Sequence, residues 1–229
     1  MMLGQNWEAA ATSLDAQGWA LLPKLIDAKS CARLRGLYDK EMFRSIVAMA
    51  RHGFGRGEYK YFAYPLPDAI ASLRGALYAK LAPIANRWAA ARKEAVTYPA
   101  AHEDYLKRCH QAGQRRPTPL LLKYGPGDYN CLHQDLYGEH IFPLQVAILL
   151  SEPGGDFTGG EFVMTEQRPR AQSRASVVPL GHGDGVVFAV HHRPVQGKRG
   201  PYAVNHRHGV SALVTGERYT LGVIFHDAQ

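Results

Sequence analysis

Cysteine is scarce in this chain of 229 residues: Cys31, Cys109 and Cys131 are odd in number, lie far apart and form no Cys-x-x-Cys pair. That excludes a disulfide framework and a cysteine zinc site, and it suits a reducing compartment. Long apolar runs are also missing. No stretch reaches the roughly 18 apolar residues of a membrane helix, and the opening MMLGQNWEAAATSLDAQGWA holds neither a basic start nor an unbroken apolar segment of the signal-peptide kind. Internal repeats, low-complexity tracts and an interdomain linker are absent as well. These absences predict a soluble, cytoplasmic protein with no membrane partner, folded as one catalytic-sized domain over residues 1–229. The 46% of hydrophobic residues is enough for one sizeable core. Acidic excess is lacking too: 27 Lys and Arg against 20 Asp and Glu give a formal charge of +7, which attracts polyanions such as nucleic acid.

Residues 1–118 read as mainly helical. GWALLPKLI (18–26) predicts a short strand entering a turn, and DAKSCARLRGLYDKEMF predicts a helix capped by Asp27, with Cys31, Leu34, Leu37 and Tyr38 on one face. In 65–95, Ile70, Leu73, Leu77, Leu81, Ile84 and Trp88 recur at intervals of three or four, predicting a long core-facing helix bent or interrupted at Pro83. Between them, RHGFGRGEYKYFAYP (51–65) interleaves Arg51, Arg56 and Lys60 with Tyr59, Tyr61, Phe62 and Tyr64. Cations alternating with rings can hold phosphates and stack a base; a loop or hairpin packing its aromatics inward has the same pattern. From residue 119 the texture changes to short apolar runs, PLLLKY, QVAILL, GEFVMT, ASVVPL, DGVVFAV and RYTLGVIF, split by Gly, Pro and Asp clusters. Such spacing predicts a sandwich or barrel of strands.

Chemistry enters with YNCLHQDLYGE (129–139). On a strand, His133 and Asp135 share a face while Gln134 turns away, so an imidazole and a carboxylate aim at one point. Two ligands do not make a metal site. One more histidine would complete the two-His, one-carboxylate set of non-haem Fe(II) oxygenases, with open positions opposite. His182, His191, His192, His206, His208 and His226 are the candidates. His206 and His208 stand before a turn and a strand that opens with Arg218, ten residues after His208.

On these residues the chain from about 119 to 227 resembles the iron(II)/2-oxoglutarate-dependent dioxygenases. They share a His-x-Asp pair, a distal His and, a strand later, a basic residue for the far carboxylate of 2-oxoglutarate. His133, Asp135, His208 and Arg218 match, and Arg218-Tyr219-Thr220 is similar to the family's Arg-x-Ser/Thr clamp. The resemblance implies an α+β fold with a double-stranded β-helix (jelly-roll, cupin-like) core over 119–229 and N-terminal buttressing helices. It implies Fe(II) on His133, Asp135 and His208, with 2-oxoglutarate on Arg218, Thr220 and Tyr124, and O2 as co-reactant. His206, two residues from His208 on the same strand face, remains the rival ligand; the ten-residue offset to Arg218 favours His208. A guanidinium suits the cosubstrate because it grips a carboxylate with two parallel hydrogen bonds.

The segment YGPGDYNCLHQD is similar to the AlkB-type nucleic-acid demethylases, in which Tyr-x-Pro-Gly precedes Leu-His-Gln-Asp. With the positive charge and the 51–65 segment, this implies oxidative demethylation of alkylated nucleic acid, a DNA-repair role, with Arg56, Tyr59, Lys60 and Tyr61 on the substrate. RYTLGVIF, however, carries one Arg and a Thr where that branch has paired arginines and an Asn. The interval from His208 resembles instead the prolyl 4-hydroxylase branch, whose substrate is a protein or peptide side chain. A third reading is a non-catalytic barrel that binds a metal or ligand.

Overall fold

A computed structural model describes residues 4–198 and 200–229. Helix α1 (Trp7–Gln17) starts where Asn6 accepts a hydrogen bond from Ala9 N and stops at Gly18, whose left-handed φ of 82° a side chain would resist. Strand β1 (Trp19–Leu22) leads to α2 (Ala28–Arg35), capped by Asp27 through Ser30 N. The helix predicted over 27–43 therefore ends early, at Arg35. The chain then forms β2 (Phe43–Ala48), β3 (Gly55–Arg56) and β4 (Glu58–Phe62) before α3 (Asp68–Ala91) and α4 (His102–Gln111). All six apolar residues foreseen for α3 are buried, and Pro83 lies inside one unbroken helix. No helix among the described residues is long and apolar enough to cross a membrane.

The later strands are β5 (Leu120–Tyr124), β6 (Tyr129–His133), β7 (Leu144–Leu149), β8 (Phe157–Gly159), β9 (Phe162–Gln167), β10 (Arg174–Val178), β11 (Gly185–Ala189), β12 (His192–Gly197), β13 (Gly200–Val210), β14 (Leu213–Gly216) and β15 (Arg218–Val223). Strands β8 and β14 pair by themselves in a small two-stranded sheet, and the others join two antiparallel sheets of the jelly-roll kind, making the fold α+β. The larger runs β1-β11-β7-β15-β5-β4-β2, and the smaller runs β10-β9-β13-β6-β3 with β12 beside β13. The division at residue 118 is thus not kept: β1, β2 and β4 belong to the large sheet and β3 to the small one. Segment 51–65 is not a free loop, because β4 pairs with β2 on one side and β5 on the other.

Alternation along the large sheet separates two environments. On β15, Tyr219, Leu221 and Val223 join the main core shared with α3 and α4. Arg218, Thr220 and Gly222 line a pocket on the opposite face, together with Gln145 and Ala147 of β7, Leu120 and Leu122 of β5 and Tyr59 and Tyr61 of β4. The core side is tied by Arg74 of α3, which is buried and donates to Ile224 O, His226 O and Asp227 Oδ1, the last at 2.8 Å.

Three buried histidines mark this packing as acid-sensitive. Burial, reinforced by Arg74, pushes His102 and His226 down to about 4, and burial reinforced by Arg193 does the same to His206. An unfolded chain takes up these protons near pH 6.5 while the native state refuses them until about 4. The unfolded state then binds more protons, so stability rises with pH across that window and is lost as the pH drops. Denaturant midpoints measured from pH 7 to 4 are expected to decline progressively; a flat profile would show that the rings protonate freely in place.

Candidate active site

β6 and β13 pair with His133 directly opposite His208, but two residues on, Val210 faces Asn130, so β6 carries a bulge of one extra residue. Such bulges re-aim side chains next to functional sites. Here the bulge turns both Asn130 and His133 into the pocket, which a regular strand would not allow. Asp135 lies beyond the strand end, in coil, and is still buried. Gln134, expected to turn away, also borders the pocket; its amide donates to Asn205 Oδ1 and His206 O, both at 2.7 Å, fastening this end of β6 to β13.

His133 Nε2 stands 3.5 Å from Asp135 Oδ1, and His208 Nε2 stands 3.5 Å from Asp135 Oδ2. The three donor atoms all lie within 4.8 Å of one another. His133 Nδ1 is 2.8 Å from Cys131 O; as donor there it leaves the Nε2 lone pair free. Burial pushes His208 below the ordinary imidazole range. Burial alone would raise Asp135, but hydrogen bonding and charge from His208, His133 and Tyr137 hold it well below the usual carboxylate range. Two imidazole nitrogens and an ionised carboxylate on one side of a chamber fit a divalent metal of the iron kind.

Arg218 is 1% exposed. One of its nitrogens donates to Thr220 Oγ1 at 2.6 Å, its Nε has no partner, and no carboxylate stands within ion-pair distance among the described residues. Burial pushes this guanidinium down to about 10. Tyr124, its partner across β15 and β5, has its ring centre 5.6 Å from the guanidinium carbon and a buried hydroxyl without a hydrogen-bond partner. Gly160, at φ +64°, makes room, since a Cβ there would sit 2.6 Å from Leu213 and 3.1 Å from Arg218. A buried cation left unpaired is costly unless an anion comes to it. The deep end of the pocket therefore has the chemistry of a carboxylate subsite, as 2-oxoglutarate requires.

The structure thus brings together His133, Asp135, His208, Arg218, Thr220 and Tyr124. Tyr59 and Tyr61 line the same pocket. Arg56 lies nearby on β3, with a side chain 61% exposed. Lys60 does not join them. It projects from the opposite face of β4, where its amine donates to Tyr38 O and sits 4.1 Å from the Tyr38 ring centre, so alternation removes it from the predicted substrate surface. His206 shares β13 with His208 but packs against Gly18 and Arg193. Sequence reasoning missed Tyr137, whose hydroxyl donates to Asp135 Oδ1 at 2.6 Å, and Gln145, whose buried amide oxygen has no partner. Tyr137 had a signal in its two-residue spacing from Asp135. Gln114 gave none: its amide nitrogen donates to Tyr137 O, His140 O and Asp227 O, clamping the turn after Asp135.

A family model described as "Oxygenase-NA: Oxygenase, catalysing oxidative methylation of damaged DNA" matches residues 57–228. Two curated sequences from Mycobacterium tuberculosis, strains CDC 1551 / Oshkosh and H37Rv, each described as an uncharacterized protein, are 53% identical over 167 residues, covering 73% of this chain and 72% of theirs. Among solved structures, the chain is similar to a Pseudomonas putida prolyl-4-hydroxylase with TM-score 0.57 and 15% identity, covering 97% of this chain and 100% of that one. It is also similar to a Trichoplax adhaerens prolyl hydroxylase in complex with a hypoxia inducible factor peptide fragment, with TM-score 0.61 and 12% identity over 96% and 89% of the two chains. A Burkholderia pseudomallei oxidoreductase of the 2OG-Fe(II) oxygenase family gives TM-score 0.57 at 17% identity, covering 100% of this chain and 95% of that one. At these identities the likeness is one of fold.

Proposed function

The chain belongs to the Oxygenase-NA family of Fe(II)- and 2-oxoglutarate-dependent oxygenases, and on that premise we propose that it demethylates alkylated nucleic-acid bases oxidatively. In this reading His133, Asp135 and His208 hold the iron. Arg218, with Thr220 and Tyr124, would take the distal carboxylate of 2-oxoglutarate, the acid partner its buried guanidinium lacks among the described residues. Bound iron, with 2-oxoglutarate and O2, supplies the oxidising power that hydroxylates a substrate C–H bond as the cosubstrate goes to succinate and CO2. The chain's own work is to orient the reactants and keep the chamber dry, and Leu120, Leu122, Ala147 and Phe162 serve that end. A methyl group on a base nitrogen, once hydroxylated, departs as formaldehyde and leaves N–H.

The observation that carries the nucleic-acid reading is the mouth of the pocket. Phe54 lines it while remaining 48% exposed, stacked on His52 at 5.3 Å. Two residues on, Arg56 has only a 3.8 Å contact with Asp128, an exposed pairing of little strength that leaves its guanidinium available. Tyr129, opposite Arg56 in the strand pairing, is exposed as well. Flat rings beside a weakly paired cation meet the needs of a base drawn out of its stack and of a phosphate flanking it. The net charge of +7 works in the same direction.

A second reading, hydroxylation of a protein or peptide side chain, is favoured by the single Arg218 followed by Thr220, where AlkB-type demethylases carry paired arginines. One assay separates the two. Succinate formation by the Fe(II)-loaded protein is measured with a methylated single-stranded oligonucleotide and, separately, with a proline-rich peptide. The expected result is stimulation by the oligonucleotide, with formaldehyde released in step. Stimulation by the peptide alone would move the enzyme to the second reading, and turnover with neither would leave it a metal- or ligand-binding barrel.

A further inference from the structure

Each oxygen of Asp135 stands 3.5 Å from a histidine nitrogen, Oδ1 from His133 Nε2 and Oδ2 from His208 Nε2. The hydroxyl sets them apart: Oδ1 accepts from Tyr137 at 2.6 Å, and Oδ2 receives none. A carboxylate oxygen already engaged by a short O–H bond is the poorer metal ligand of the pair. The backbone that carries Tyr137 is held from outside the turn. Gln114 donates to Tyr137 O at 3.0 Å, and at the next residue, Gly138 with φ +98°, a Cβ would lie 2.5 Å from the Gln114 side chain. The Tyr137 hydroxyl also accepts a hydrogen bond from Tyr61 at 3.3 Å. Tyr61 is a wall of the pocket, with the Arg44 guanidinium 4.4 Å over its ring and Tyr59 set edge-on at 5.4 Å. A line of hydroxyls therefore runs from the pocket wall to the side of the carboxylate turned away from His208.

We infer that Tyr137 is a positioning residue for the metal: it occupies Oδ1 of Asp135 so that Oδ2 alone coordinates, and through Tyr61 it links that arrangement to the occupancy of the pocket. The inference rests on the reading of His133, Asp135 and His208 as the iron ligands. Holding the carboxylate to one oxygen keeps a coordination position open that a carboxylate binding through both oxygens would close. Loss of an outer partner of this kind typically weakens metal binding 10- to 100-fold.

The test is titration of the wild-type protein, Tyr137→Phe and Asp135→Ala with Co(II) alone, following the visible absorption spectrum, which reports affinity and coordination together. Tyr137→Phe is expected to bind roughly 10- to 100-fold more weakly and with an altered spectrum, because both oxygens are then free to coordinate; Asp135→Ala is expected not to bind. Wild-type affinity and spectrum in Tyr137→Phe would overturn the inference while leaving the ligand assignment intact. Failure of the wild-type protein itself to bind would overturn both. Should Tyr137→Phe not fold, Tyr61→Phe decides: a shifted Co(II) spectrum supports the hydroxyl line, and a spectrum identical to wild type overturns it.

Discussion

Asp135→Ala is expected to strip the protein of iron while leaving it folded. The carboxylate is the only anion of the three clustered groups and stands between the two histidine nitrogens. Without it the site holds two imidazoles 4.2 Å apart by ring centre and no anion, which can neither balance a divalent charge nor fix a face of coordination. The dissociation constant for the metal should rise by more than the 100-fold or so that marks the upper end of outer-partner losses. The structural penalty is smaller, about 1–3 kcal/mol for leaving the Tyr137 hydroxyl without its acceptor, against the 5–15 kcal/mol typical of a folded domain. Iron content after dialysis, read beside the circular dichroism spectrum, checks both halves. Iron retained at the wild-type level would remove Asp135 from the ligand set. His206→Ala is the matched control: it removes the rival ring two residues from His208 and should keep the metal.

Arg218→Met should separate cosubstrate binding from stability. Methionine roughly fills the space of the arginine stem but brings no charge, so the distal carboxylate of 2-oxoglutarate loses a charge-assisted pair. Such bonds contribute about 1.5–3 kcal/mol, which sets a rise of roughly 10- to 100-fold in the 2-oxoglutarate concentration needed for half-maximal turnover. In the free protein the same guanidinium is buried and has no acid partner, and replacing an uncompensated buried charge by an apolar side chain is often neutral or stabilising. The melting temperature without 2-oxoglutarate should therefore be unchanged or higher, while the stabilisation added by saturating 2-oxoglutarate should shrink. An unchanged cosubstrate requirement would take Arg218 out of the site. A large drop in melting temperature would mean that the arginine serves the fold.

The parts of this arrangement legible in sequence are those that depend on local periodicity. The i, i+2 spacing brought out His133 and Asp135, the repeats of three and four gave the buried face of α3, and the interval to Arg218 separated His208 from His206. What stayed hidden depends on pairing across the chain. Strands β2 and β4 flank glycine-broken sequence and take their place because β4 finds β5, with Lys60 paired to Leu121, 61 residues on, while β3 pairs with β6. The bulge that turns Asn130 and His133 to the same side is a property of two strands, not of one. Lys60 reads as one of a basic-aromatic set until β4 is known to be extended, whereupon it falls opposite Tyr59 and Tyr61. Gln114 is an unremarked polar residue before a strand, and its role follows only from the turn that folds over it.

Gln114 also sets when the site can be completed. Its amide bridges the turn after Asp135 to Asp227 O, a partner 113 residues away along the chain. During synthesis, His133 and Asp135 emerge from the ribosome well before the residues that lock their turn in place, and β13 and β15, which carry His208 and Arg218, also come later. A chain halted before residue 208 would hold two of the three proposed metal donors and no clamp, so under the proposed ligand set the metal can be held only after β13 has been made.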